Sequence, residues 1–67
     1  MLVVRAFPVV TVYVDGVKHG DTPKDIRLAT GRHTVVLVRY DENKQKLEER
    51  IPVTILENQS TPIHRIQ

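Results

Sequence analysis

Val10–Pro23 reads VTVYVDGVKHGDTP, and this stretch decides the fold because it joins a strand pattern to a hairpin turn. Valine occupies every second position of VTVYV, and a period of two is that of a β-strand with one face in the core. Asp15-Gly16 follows directly and is typical of a type I′ turn, in which both central residues have positive φ. The stretch therefore predicts a tight hairpin with a short return strand over 17–19.

The residues after that return strand predict further turns. Gly20 ends the strand, and Pro23 restricts Thr22 to extended backbone. Gly31 marks another turn, which follows a brief strand in KDIRL (24–28). The predicted structural turn residues are Asp15, Gly16, Gly20, Thr22, Pro23 and Gly31.

The alternation continues through the second half of the chain. HTVVLVRY (33–40) is largely apolar on both faces, which favours a central strand. LEERIPVTIL (47–56) alternates too, but Pro52 cannot donate a ladder hydrogen bond, so this strand lies at an edge or directs its missing N–H outward. YDENK (40–44) should close the hairpin between the two strands, with Asn43 in the left-handed region.

A helical alternative stays open for DENKQKLEER (41–50), which consists of good helix formers. Glu42 and Lys46 form a favourable i,i+4 pair there. Leu47 is its one apolar anchor, however, and isolated helices this short are marginal. The alternative is chiefly a single turn near 41–44.

Length and composition fit one small β domain. The 67 residues include no cysteine, and 40% of them are hydrophobic. No apolar run approaches the roughly 18 residues of a membrane span, so direct membrane insertion is not expected. With LVVRAF (2–7) as first strand and IHRI (63–66) as last, we predict an all-β fold. It is a small two-layer β-sandwich of about six short, mostly antiparallel strands, formed as a single domain by residues 1–67.

The acidic residues and histidines do not form a reactive pattern. Asp15 and Asp21 flank the hairpin and are interpreted as turn residues, although a weak calcium contact is an alternative without EF-hand spacing. His19, His33 and His64 lack the spacing of zinc ligands. The glycines form neither a dinucleotide-binding motif nor a phosphate-binding loop. The sequence therefore predicts no catalytic residue, no cofactor and no metal.

Nucleic acid is not an expected partner. The formal net charge is only +2, and the 10 lysines and arginines are scattered along the chain. Nucleic-acid binders of this size concentrate basic residues on one face, often with aromatic residues among them. Phe7, Tyr13 and Tyr40 are the only aromatic side chains. A small basic nucleic-acid-binding β-barrel is thus the weakest of the binding hypotheses.

The spacing of the turn residues and the strands between them resembles the PEGA domain family. The pattern is Val-Tyr-Val-Asp-Gly, then Gly-x-Thr-Pro, an alternating pair, and Gly-x-His-Thr-Val. The tetrapeptide that names the family is absent, since Phe7–Val10 stands in its place. The matching residues are Val12, Tyr13, Val14, Asp15, Gly16, Gly20, Thr22, Pro23, Ile26, Leu28, Gly31, His33, Thr34 and Val35.

This resemblance implies a small β-sandwich module of a larger bacterial or archaeal protein, in the cell envelope or the cytoplasm according to the parent chain. It also implies no shared catalytic residues. The function expected from it is that of a non-catalytic protein-interaction or spacer module, associated with the envelope or with kinase signalling. A carbohydrate- or peptidoglycan-binding module is the alternative.

Unequal protection of the strand edges suggests where a protein partner would bind. Pro52 and the charges of 48–50 protect one strand from edge-to-edge pairing. The first segment has only Arg5 for this purpose. We therefore predict that a partner, or a second copy, pairs with an edge formed by the first strand. The predicted edge residues are Leu2, Val3, Val4 and Arg5.

Overall fold

The computed structural model describes residues 1–66, and these form an all-β structure of seven strands without a helix. The prediction of an all-β fold is confirmed, with seven strands instead of about six. The strands are β1 (Leu2–Phe7), β2 (Thr11–Val14), β3 (Val17–Asp21), β4 (Lys24–Ile26), β5 (Gly31–Tyr40), β6 (Lys46–Ile55) and β7 (Thr61–Ile66). Within residues 1–66, no helix is long and apolar enough to cross a membrane.

The strands form two sheets, in agreement with a sandwich. One sheet has the order β4-β1-β7, and the other has the order β3-β2-β5-β6. β5 is therefore internal and β6 is an edge strand, as their apolar pattern and Pro52 predicted. The described strands pair antiparallel except for β1 and β7, which run parallel from Leu2↔Thr61 to Phe7↔Ile66.

The core lies between the inner faces of the two sheets. Its strand residues come from every second position, because successive residues of a strand point to opposite faces, and Val10 joins them from just before β2. Each of them is at most 5% exposed. The buried core residues are Leu2, Val4, Val10, Val12, Val14, Ile26, Val35, Leu37, Ile55 and Ile63.

The β2–β3 hairpin has the predicted turn and one unpredicted feature. Asp15 (φ 50) and Gly16 (φ 83) both have positive φ, which confirms the type I′ turn. β3 does not end at Gly20 but continues to Asp21. It can do so because the pairing shifts between Val12↔Gly20 and Tyr13↔Lys18, so that one extra residue forms a β-bulge.

The loop between β5 and β6 closes the predicted long hairpin, and the helical alternative does not form in the described chain. The left-handed residue is Lys44 (φ 62), so the prediction of Asn43 was wrong. The reason is the carboxylate of Asp41, whose Oδ1 accepts hydrogen bonds from the N–H groups of Asn43 and Gln45 at 2.9 and 2.8 Å. These bonds fix the turn so that the reversal falls one residue later.

Candidate functional site

Asp15 and His33 form the best-defined polar contact of the sandwich. His33 Nδ1 lies 2.6 Å from Asp15 Oδ2, and His33 Nε2 lies 2.7 Å from the carbonyl oxygen of Ala29. The other carboxylate oxygen of Asp15 accepts the N–H of Thr34 at 2.9 Å. The Asp15 N–H donates in turn to the Thr34 carbonyl at 2.9 Å. The hairpin turn, the start of β5 and the loop before it are thereby joined.

The surroundings of the imidazole favour its charged form. Both ring nitrogens face an oxygen acceptor, so both can donate only when the ring is protonated. The hydrogen bond to Asp15 and then that to the Ala29 carbonyl raise the pKa of His33. The Thr34 N–H, followed by His33, lowers the pKa of the Asp15 carboxyl. In its protonated form the ring has no free lone pair, and the pair is then an ionic clip between the turn and β5.

Of the other predicted turn residues, Thr22 and Pro23 follow β3 at the opposite end of the hairpin from this clip. Thr22 is only 5% exposed, and its Oγ1 accepts the Val10 N–H at 3.2 Å. The Thr22 N–H donates to the Val10 carbonyl at 2.9 Å. Asp21 accepts a hydrogen bond from the Thr11 hydroxyl at 2.8 Å. Pro23 follows Thr22 in the turn before β4, whereas Gly31 begins β5.

The alternative of a calcium contact from two hairpin aspartates is wrong. Asp15 belongs to the turn beyond Val14↔Val17, whereas Asp21 pairs with Thr11 at the far end of β2. One cation cannot bind both carboxylates across the length of the strand. Across residues 1–66, no three His, Asp or Glu side chains are grouped so that they could hold a metal ion.

The outer face of the four-stranded sheet carries an apolar strip that no other strand of residues 1–66 covers. The strip consists of Tyr13, Val36, Val38 and Tyr40. Val38 is 7% exposed even though it lies on the outside of the sheet, whereas Tyr40 is 66% exposed. A shallow depression of about 220 Å³ lies over the strip. Its lining residues are Tyr13, Gly16, Val36, Val38, Lys46, Glu48 and Arg50.

A second depression opens between the two sheets at the end of the sandwich, with a volume of about 440 Å³. Buried Val10 and Leu37 contribute apolar surface to it. Arg65 and Glu49 bridge the sheets there, with Arg65 Nε 3.0 Å from both carboxylate oxygens. This end cleft thus combines an apolar lining with an ion pair that is already formed.

The free edge of β6 has a defined set of unpaired backbone groups. The Thr34 N–H donates to the side-chain carboxylate of Asp15, and the Thr34 C=O accepts the Asp15 N–H, so both groups of Thr34 point away from β6. Its partner in the β5–β6 ladder is Pro52. Since hydrogen-bonding direction alternates along a strand, the even-numbered residues of β6 direct their backbone groups to the free edge. Pro52 is one of them, which confirms that its missing N–H faces outward.

The predicted edge at β1 is wrong. β7 pairs with β1 along its whole length, and β4 pairs with Leu2, Val3 and Val4 on the other side. Arg5 lies beyond the β4 pairing, where its guanidinium contacts Asp25 at 2.9 Å. β1 is therefore internal to its sheet, and the proposed strand pairing at Leu2–Arg5 has no continuous free edge to use.

Neither the contact between Asp15 and His33 nor the apolar strip was predicted from the sequence. Asp15 and His33 were both part of the motif, but their contact depends on which strands are neighbours. The sequence of β5 indicated that its outer face is apolar. That Tyr13 lies beside this face follows only from the pairing of Tyr13 with Val36 in the folded sheet.

Comparison with known proteins gives one match. A family model described as the PEGA domain matches residues 2–65. This range runs from the first residue of β1 to the penultimate residue of β7. No curated protein and no solved structure matches the chain.

Proposed function

We propose, from the premise that the chain belongs to the PEGA domain family, that it is a non-catalytic protein-interaction or spacer module of a larger bacterial protein. The observation that carries this proposal is the apolar outer strip of the four-stranded sheet. Tyrosine is enriched in protein interfaces because its rigid ring buries a large area at a small entropic cost. In Tyr13 and Tyr40 the strip has two such side chains beside branched aliphatic ones.

The charged side chains of β6 flank the strip and support the same role. Lys46 Nζ contacts Glu48 Oε1 at 2.9 Å, and Arg50 follows on the same face. An apolar centre with a charged rim is the usual anatomy of a protein interface. A partner would bury the strip and leave these charges at the border, where they determine orientation and specificity.

A non-catalytic role is supported by the hydrogen bonds of the His33 imidazole and the Glu49 carboxylate, the two groups most suited to acid–base chemistry. Both ring nitrogens of His33 are engaged with Asp15 and Ala29. In the end cleft, Glu49 is engaged with Arg65. A general base needs an accessible lone pair and a pKa near the working pH. The contacts of His33 and Glu49 occupy the lone pairs that a general base would use.

A carbohydrate ligand is the second candidate, and exposed Tyr40 favours it. Its ring, at 66% exposure, stands on the same face as Tyr13. Amphipathic aromatic rings offer an apolar face with a polar edge, which suits stacking against a sugar. The two candidates predict different ligands for one surface.

Photo-crosslinking in the intact protein that contains this chain tests the proposal. A photoreactive phenylalanine analogue replaces Tyr40, and a control protein carries it at His64 on the outer face of the other sheet. We expect a protein adduct from position 40 that is absent from position 64. Equal labelling at both positions, or none at position 40, contradicts the proposal. Co-sedimentation with insoluble peptidoglycan that Tyr40→Ala abolishes would instead favour the carbohydrate candidate.

A further inference from the structure

The free edge of β6 offers a short, uninterrupted row of backbone partners. Lys46, Glu48 and Arg50 each present an N–H and a C=O outward, by the alternation that the Thr34 hydrogen bonds fix. Pro52 presents only a C=O. An added strand can therefore form a full ladder along 46–50 and loses one hydrogen bond at Pro52. Such rows are the sites at which another strand extends a sheet.

The side chains along that row alternate in charge. Lys46 is positive, Glu48 negative and Arg50 positive, and all three lie on the outer face of the sheet. Their ladder partners on β5 are uncharged: Tyr40, Val38 and Val36, in the same order. The charges of β6 are thus not matched by charges across the β5–β6 ladder. A strand added on the other side of β6 would meet them directly.

We propose that this edge pairs antiparallel with β6 of a second copy of the chain, with Glu48 opposite Arg50 of the second copy. Twofold symmetry then forms the same ion pair twice, because Arg50 meets Glu48 of the second copy. Leu47, which is 38% exposed, comes to lie opposite Ile51 of the second copy. The two four-stranded sheets become one continuous sheet.

Charge selects this register among the neighbouring ones. A shift of the second copy by two residues in one direction places Glu48 opposite Glu48 and Lys46 opposite Arg50. The same shift in the other direction places Arg50 opposite Arg50. Like charges that face each other across strands are destabilising. A shift by two more residues in the first direction pairs Lys46 with Glu48. The two strands then overlap only over 46–48, because β6 begins at Lys46. The proposed register overlaps them over 46–52.

One like-charge contact remains on the inner face of this register. Glu49 lies opposite Glu49 of the second copy, at the twofold axis. Arg65 offsets this contact, because its Nε already lies 3.0 Å from both oxygens of the Glu49 carboxylate. The two Glu49 carboxylates and the two Arg65 guanidinium groups then have charges that sum to zero.

We expect the association to be weak because the contact area is small. One strand from each copy buries much less than the roughly 1,200 Å² of a stable interface. We therefore expect a dimer that forms reversibly as protein concentration increases. This edge contact leaves the apolar strip uncovered, although Lys46, Glu48 and Arg50 belong both to the paired edge and to the charged border of the strip.

A double charge reversal tests the register. Glu48→Lys converts both ion pairs into repulsive contacts, and we expect sedimentation equilibrium to show dimerisation weakened about tenfold. Adding Arg50→Glu to the same chain recreates both pairs with their signs exchanged and should restore the dimer. The matched control adds Lys18→Glu to Glu48→Lys, which gives the same net charge with the compensating residue on β3, at the other edge of the sheet.

The control double variant should remain as weakly associated as Glu48→Lys alone. Circular dichroism establishes that each variant is folded, so that a loss of association is not a loss of structure. A wild-type chain that stays monomeric at millimolar concentration overturns the proposal. Failure of Arg50→Glu to restore the dimer, or equal restoration by Lys18→Glu, overturns it as well.

Discussion

Asp15 and His33, which are 18 positions apart in the chain, are joined by a 2.6 Å contact that connects the β2–β3 turn to β5. The turn would otherwise project from the sheet as an isolated corner. With the Thr34 N–H also bound to Asp15, the corner is held from two directions. The aspartate therefore has two structural roles, one in the turn and one between strands.

The Asp15–His33 clip should make thermal stability depend on pH. The pKa of His33 is raised above its ordinary value of 6.5. Its contribution is therefore fully present below about pH 6.5 and is lost as the pH rises through the raised value. The pKa of Asp15 is lowered from 3.8, so its contribution is present above that pH and is lost as the pH falls through the lowered value. The clip is strongest between these limits.

Melting temperatures from about pH 5 to about pH 9 measure this effect. The wild-type chain should become less stable toward the alkaline end, and His33→Gln should show a flatter profile. His64→Gln is the control, because His64 lies on the outer face of the other sheet. Identical slopes for wild type and His33→Gln would exclude an ionised clip.

Gly16→Val should destabilise the hairpin by more than about 1 kcal/mol. A Cβ at Gly16 has no heavy atom within 4 Å, so the cost comes from the backbone at φ 83 and not from a clash. Gly16→Asn is the matched control, since asparagine tolerates the left-handed region. Chemical denaturation measures both. If Val and Asn give the same free energy of unfolding, backbone conformation is not what requires glycine there.

Thr22→Val should cost about 1–3 kcal/mol, because it leaves the buried Val10 N–H without its acceptor. The two side chains have nearly the same shape, so the change removes the hydroxyl and little else. Thr22→Ser keeps the acceptor and loses the methyl group. A free energy of unfolding lower for the serine variant than for the valine variant would show that packing, not the hydrogen bond, holds Val10.

Pro52→Val should strengthen self-association by about tenfold, because it adds one N–H to the free edge of each copy. In the proposed register this N–H lies opposite Lys46 of the second copy. Thr54→Val introduces the same side chain two residues further along, where an N–H is already present. Sedimentation of the two variants separates the backbone effect from added hydrophobicity. Equal association of both would show that Pro52 does not limit the edge.

The turn at Asp15-Gly16 and the outward-facing position of Pro52 were predicted correctly, because each depends on the chemistry of the residues themselves. Asp15-Gly16 has the backbone conformation of its turn type, and Pro52 lacks its N–H in any context. The prediction of Asn43 as the left-handed residue was wrong because the hydrogen bonds of the Asp41 carboxylate place the left-handed conformation at Lys44. Several residues of a loop can adopt that conformation, so the loop sequence alone does not determine which one does.

The internal position of β1 in its sheet is the part of the strand order that the sequence pattern did not predict. Leu2–Val4 are covered by β7, which comes from the opposite end of the sequence and runs parallel to β1. Nothing in the alternation of β1 distinguishes an edge from an internal position when the second neighbour is so distant. The Asp15–His33 contact has the same origin, since it forms only once β2 and β5 pair.

The parallel course of β1 and β7 determines how the module would respond to tension. Leu2 and Ile66 lie at opposite ends of this strand pair. A force that pulls these two residues apart acts along the strands, so it loads the rungs of the ladder in shear and all of them must yield together. An antiparallel arrangement would place both points at the same end, and the rungs would then open one after another. The topology is therefore that of a link that resists stretching along its length.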